Sequence, residues 1–227
     1  MALCAATDSW MKSVDKGSYA GALLVDLSKA FDTVPHQLLL TELRDIGCST
    51  EVLSWFCNYL TDRLQRVITH EEVTDWIMAS RGFPQGSGLS PLLFNIFVRN
   101  LPRQCTSSVF QFADDTTLAT EDSSLLVVAE NLMVDFEAVK KFCDSHDLKI
   151  NSEKTQLILF KKPGKTIPED FHLTLDNVIV KPEKTVKLLC VTLDQHLTFG
   201  PHIDSVVNKC QGLLGILAKA IIYLKTY

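Results

Sequence analysis

Two adjacent aspartates, Asp114 and Asp115, stand in VFQFADDTTLAT between an apolar run and a run rich in β-branched residues. Val109, Phe110 and Phe112 predict one strand and Thr116, Thr117 and Leu118 another, so both acids are expected at the bend of a hairpin. Carboxylates this close repel, and unless a cation neutralises them one should take up a proton. Their oxygens suit a hard ion such as Mg²⁺, and a metal held there can support phosphoryl transfer. A solvated Asp-Asp turn is the plain alternative for a lone pair. A third acid, Asp26, ends the apolar run Ala22 to Val25, which reads as a strand buried on both faces. A carboxylate at the tip of such a strand is costly without a partner, so a metal or another cation is implied there as well. Asp32, beside Thr33 and Pro35, is expected to cap or fix the turn into the next helix rather than to bind metal.

The elements that must position these acids follow from periodicity. Residues 1 to 17 predict a helix, and 36 to 46 and 50 to 60 a helix pair broken at Gly47. Two short strands are expected at 66 to 70 and 76 to 80. Gly82 to Gly88 is a loop with three glycines and a proline, and Ser90 and Pro91 start an apolar helix behind it. Such a loop lets a ligand approach backbone closely, although it lacks the Lys-Ser/Thr ending of a Walker loop. Residues 123 to 146 carry one stripe, Leu125, Ala129, Leu132, Phe136, Val139 and Cys143, which is core. A turn and strand follow over 148 to 160, two or three strands over 171 to 193, and a helix over 201 to 225.

Composition bounds the function class. The chain has 227 residues, 46% hydrophobic and 22% charged, an ordinary globular balance with room for one large core or two modest lobes. The most apolar run, 213 to 224, is too short to span a membrane and carries Lys219. The start, MALCAATDSW, does not read as a signal peptide. Seven cysteines without CxxC spacing fit reduced thiols in a cell interior. Cys190, His196, His202 and Cys210 match no common zinc spacing and read as core cysteines and surface histidines. The net charge of −5 gives no electrostatic case for nucleic-acid binding, yet all six arginines lie between Arg44 and Arg103. A polyanion site is expected in that third of the chain, with chance composition as the alternative.

VDLSKAFDTVPH, GFPQGSGLSPLLFNIF and FADDTTL, in this order and at these separations, resemble the reverse transcriptase domain of non-LTR (LINE-like) retrotransposons over about residues 20 to 210. The resemblance implies an α+β polymerase palm, a small antiparallel sheet backed by helices with partial fingers over 1–195, and the start of a thumb or a C-terminal helix over 196–227. It implies an RNA-directed DNA polymerase that adds deoxynucleoside triphosphates to a DNA primer on an RNA template with two Mg²⁺ ions. Asp26 and Asp114 then correspond to the metal-binding acids and Asp115 to the supporting acid. Phe31 falls where the family places an aromatic steric gate against a 2′-hydroxyl; by itself it reads as core. Gln85 and Gly86 correspond to the loop that meets incoming nucleotide and template. Asn151, Lys154 and Thr155 resemble the motif whose lysine lies near the triphosphate, with an exposed lysine as the alternative. Phe83 and Ser90 depart from the family, as do Leu188 and Cys190, where it usually shows Tyr and Gly; losing that glycine is expected to hinder a left-handed turn. The finger motifs that precede the palm, and most of the thumb, are expected to lie outside this chain. A folded, non-catalytic relic with residual nucleic-acid or protein binding is therefore the alternative function.

Overall fold

The computed structural model describes residues 2–84 and 86–224. In chain order the elements are α1 (Ala2–Asp15), β1 (Tyr19–Val25), α2 (Ala30–Thr33), α3 (His36–Asp45), α4 (Thr50–Leu60), β2 (Leu64–Gln65), β3 (Ile77–Met78), α5 (Ser90–Phe97), β4 (Ser108–Phe112) and β5 (Asp115–Asp122). They continue with α6 (Leu125–Ser145), β6 (Gln156–Phe160), β7 (Leu173–Leu175), β8 (Val178–Val180), β9 (Pro182–Glu183), β10 (Thr185–Leu188), β11 (Val191–Asp194) and α7 (Gly200–Leu224). The main sheet has the order β4-β5-β1-β6-β9 and is antiparallel except where β9 runs parallel to β6.

β1 is central because its alternate side chains are apolar on both faces, and both faces are covered. Leu23 and Val25, with Leu118, Leu157 and Leu159, pack under Leu132, Phe136 and Val139 of α6. Ala20 and Ala22, with Ala119, Ile158 and Phe160, pack against Ala6, Trp10 and Val14 of α1 and against Val186, Leu188 and Leu193 of the β10–β11 hairpin. The small residues let α6 approach closely: a Cβ on Gly21 would lie 2.6 Å from Cγ1 of Val128. Helices on a small sheet with segregated strands and helices give an α+β architecture, as expected of a palm.

The helices fall where periodicity places them, and the departures are local. The strand pair expected over 66–70 and 76–80 shrinks to Leu64–Gln65 with Ile77–Met78 and a lone bridge from Ile68 to Val73. Asp32 lies inside the one-turn helix α2, which follows a left-handed Lys29 (φ +49°), and the N-cap residue of α3 is Pro35. The hairpin bend is Ala113–Asp114, so Asp115 is the first residue of β5 rather than part of the turn. Between residues 173 and 194 there are five short strands, not two or three. Their extra reversals use left-handed Asp176, Asn177, Leu189 and Cys190, only two of which belong to types that favour this backbone. Cys190 and Cys210 are exposed rather than core.

Candidate active site

Strand register brings the acids together. β1 and β5 pair antiparallel up to Val25 opposite Thr116, and one further step puts Asp26 opposite Asp115. Alternation sends Asp26 to the face of Leu24 and Asp115 to the face of Thr117, the same side of the sheet. Asp114 sits at the turn beside left-handed Ala113 (φ +54°), and Phe112 pairs with Asp115 across it. A cleft of about 90 Å³ is lined by Asp26, Asp115, Lys154, Gln156 and Lys187, among others, but not by Asp114. The Asn151 amide donates to the Asp26 carbonyl at 2.8 Å, and the Asn151 carbonyl accepts from the Thr155 amide at 3.0 Å and the Lys154 amide at 3.1 Å. This short turn therefore delivers Lys154 to the end of β1. Lys187 was not found by sequence reasoning. Its signal is a lysine between buried Val186 and Leu188, but only the packing of β10 aims it at the cleft.

Negative charge is crowded around Asp115. The carboxyl of Asp115, though exposed, is pushed above the ordinary carboxylate range, first by loss of surrounding water and then by the charges of Asp114 and Asp26. All three acids are thus within electrostatic reach of one another, and their oxygens match a hard divalent cation in donor type. Among the described residues no three His, Cys, Asp or Glu side chains are gathered closely enough to hold a metal ion as they stand, so donors are present without a finished cage. Elsewhere, in the core around α6, burial pushes the Cys143 thiol up to about 12 and that of Cys105 up to about 11, which disfavours thiolate chemistry at either.

A second cavity of about 370 Å³ lies beyond the carboxyl end of β1, between Phe31, Phe83, Gly86, Ser87 and Pro91. Phe31 is half-buried: its ring stacks on Phe94 at 4.8 Å and meets Phe83 edge-on at 6.0 Å. It therefore packs on the core and borders the cavity at once. Gly86 has φ +78° in open space, a backbone that a side chain would strain. Gln85 lies outside the described residues. The structure brings Phe31 to Gly86 and brings Asp26 to Asp115 and Lys154, with the segment 26–31 joining the two clefts.

Arg63, Arg66, Arg81 and Arg99 contact other groups of the fold. Arg81 pairs with Asp147, Arg99 with Glu42 at 3.1 Å, and Arg63 donates to the Gly82 carbonyl at 3.0 Å. Arg66 lies 4.5 Å from the centre of the Trp76 ring. Their clustering in sequence thus builds internal contacts in this part of the chain. A larger cavity, about 930 Å³ along α6 beside Arg103, Lys141 and His146, shares no residue with either cleft.

Residues 5–193 match the model of a family described as reverse transcriptase (RNA-dependent DNA polymerase). A probable RNA-directed DNA polymerase from transposon BS of Drosophila melanogaster is 28% identical, with 88% of this chain and 23% of the relative covered. The RNA-directed DNA polymerase from mobile element jockey of the same species is 24% identical, with 86% and 22% covered. The chain thus spans under a quarter of the length of these curated relatives. Among solved structures, telomerase from Candida albicans, in complex with a fragment of telomeric RNA, superposes with a TM-score of 0.57 at 12% identity, covering 86% of this chain and 33% of that one. Apo telomerase from Candida tropicalis gives 0.54 at 13% identity, covering 87% and 38%. At these identities the likeness concerns the fold.

Proposed function

The chain belongs to the reverse transcriptase (RNA-dependent DNA polymerase) family, and we propose that it forms the palm of an RNA-directed DNA polymerase, adding deoxynucleotides to a primer 3′-hydroxyl on an RNA template. Residues 1–195 would form the palm with partial fingers and 196–227 the start of a thumb. The observation that carries this reading is the convergence of Asp26 with Asp115 and Lys154 at one sheet end although 89 positions separate the two acids.

Asp26, Asp114 and Asp115 would hold two Mg²⁺ ions, which when bound supply activation of the primer hydroxyl and stabilisation of the leaving pyrophosphate. Lys154 and Lys187 bring positive charge to the same cleft and balance phosphate oxygens. Phe31 borders the second cavity, where it would exclude a 2′-hydroxyl, and Gly86 would let template and nucleotide approach the backbone. Gln85 shares that loop. Seven unpaired thiols support a reducing, intracellular setting.

A non-polymerising palm is the second reading, favoured by the absence of a ready three-ligand cage among the described residues. Primer extension by the purified 227-residue chain on an RNA template decides between them. Mg²⁺-dependent synthesis abolished by Asp114→Asn supports the polymerase. No synthesis with intact folding supports the second reading.

A further inference from the structure

One backbone carbonyl, that of Gly82, receives two side-chain donors. His36 Nε2 lies 2.9 Å from it and Arg63 Nη2 3.0 Å from it. His36 is buried, and because a carbonyl oxygen only accepts, its ring must carry a proton on Nε2. Arg63 is itself anchored by a bond from Nε to the Leu60 carbonyl at 3.2 Å, at the end of α4. On either side of that carbonyl the backbone is laced to the segment after β1: Gly82 N donates to Val34 O and Phe83 N donates to Phe31 O, each at 2.9 Å. Gly82 packs tightly on this segment and admits no side chain, since at φ +73° an added Cβ would lie 2.6 Å from the Asp32 carbonyl oxygen. Phe31 and the start of the glycine-rich loop are therefore one backbone unit, which His36 of α3 and Arg63 after α4 anchor at the Gly82 carbonyl, while Tyr59 of α4 holds the far side of the loop by donating its hydroxyl to Ser87 Oγ at 2.5 Å.

We propose that His36, seconded by Arg63, is a positioning residue for sugar discrimination: by holding the Gly82 carbonyl it fixes the distance between the Phe31 ring and the glycine-rich loop, and so the width of the cavity that admits the nucleotide sugar. This rests on the polymerase reading for its substrate, whereas the clamp itself does not. An aromatic gate discriminates only if it cannot recede, because a ring that swings by an ångström admits one more oxygen. Phe31 is held on its core side by Phe94, so the freedom that matters is that of the opposing loop. His36 touches neither cleft. It acts through Gly82 alone.

The test compares wild type, His36→Ala, His36→Gln and Arg63→Ala in the 227-residue chain. Two quantities are read: hydrogen exchange at the Gly82 and Phe83 amides, and the ratio of dATP to ATP used in Mg²⁺-dependent primer extension. His36→Ala is expected to speed exchange at both amides about tenfold while β1 and α6 stay protected, and to lower the nucleotide ratio about tenfold, equivalent to about 1.4 kcal/mol. His36→Gln, whose amide can donate to the same carbonyl, should restore both. Arg63→Ala should give a smaller change in the same direction. Unchanged exchange in His36→Ala overturns the clamp whether or not the chain extends primers. Faster exchange with an unchanged ratio leaves His36 structural and overturns its role in discrimination. A wild-type chain that extends no primer counts against the polymerase reading instead, and the ratio is then taken from equilibrium binding of Mg-dATP and Mg-ATP. There, equal affinities in the wild type, or equal losses for both nucleotides in His36→Ala, overturn the proposal.

Discussion

At Asp115 two further negative groups act on one carboxyl, and the sign of the result is fixed. Its carboxyl is raised by lost hydration and by Asp114 and Asp26, so the folded state binds a proton more tightly than the unfolded state does. Stability from this group is therefore greatest below the ordinary carboxylate value of about 4 and falls as pH rises through the raised value. Asp115→Asn should flatten urea-unfolding stability from about pH 4 upward, and millimolar Mg²⁺ should stabilise the wild type more than the variant. A steeper pH dependence in Asp115→Asn would contradict this account. Phe31 answers a different question, whether a half-buried ring is packing or gate. Phe31→Ala removes a stacked pair and part of a core contact, an expected loss of about 2 kcal/mol rather than the 3–5 of a fully buried ring. If the ring is also the gate, ribonucleotide incorporation rises well beyond what the lost stability accounts for. Melting curves beside dATP and ATP incorporation separate the two.

Among elements, the β10–β11 hairpin carries the clearest local conflict. Leu188 pairs with Val191, which leaves Leu189 and Cys190 as the turn, both left-handed at φ +47° and +68°. Two positive φ values are what a tight hairpin turn of this length requires, and here neither residue is glycine, asparagine or aspartate. The lost glycine thus does not abolish the left-handed turn; the turn forms at a cost of about 1–2 kcal/mol per strained residue. Cys190 is exposed and contributes little packing. Cys190→Gly should stabilise the fold by about 0.5–1 kcal/mol, the relief being partly offset by the greater chain entropy of glycine when unfolded. Thermal unfolding checks the sign. Because β10 also delivers Lys187, the same change should leave the cleft lining in place. β4 is seated by a different device: buried Asp135 of α6 accepts from the Thr106 amide at 2.8 Å, its hydroxyl at 3.1 Å and the Ser107 amide at 2.9 Å. Those bonds hold its carboxyl below the ordinary range against the burial that raises it.

For the molecule as a whole, α7 is the unbalanced part. Ile203, Val206, Val207, Leu213, Leu214, Ile216 and Leu217 are all exposed, an apolar surface that few isolated soluble proteins leave open. The hairpin of β2 and β3 adds Leu64, Ile68, Trp76 and Met78, also exposed. The 227-residue chain is expected to associate with rising concentration, and Leu213→Glu with Leu217→Glu should shift it toward the monomer with little change in melting temperature, because neither side chain contributes to the core. Sedimentation across a range of concentrations reads this directly. A chain that stays monomeric throughout would show that the surface is less adhesive than its area suggests.

The helices, the buried central strand and the acids were legible in the chain alone, because each is a local or periodic property: the apolar run before Asp26, the stripe from Leu125 to Cys143, the paired charges at 114 and 115. Three motifs in order were enough for the family. Which groups meet was settled by packing and strand register. Register along β1 and β5 set Asp26 against Asp115 and left Asp114 at the turn, a one-residue difference that spacing in the sequence does not reveal. Lys187 reached the cleft, and His36 and Arg63 reached the Gly82 carbonyl, across separations that no spacing rule spans. Among the clustered arginines, Arg63 and Arg99 found partners inside the fold for the same reason, since a side chain's partner is fixed by packing and not by its neighbours in sequence.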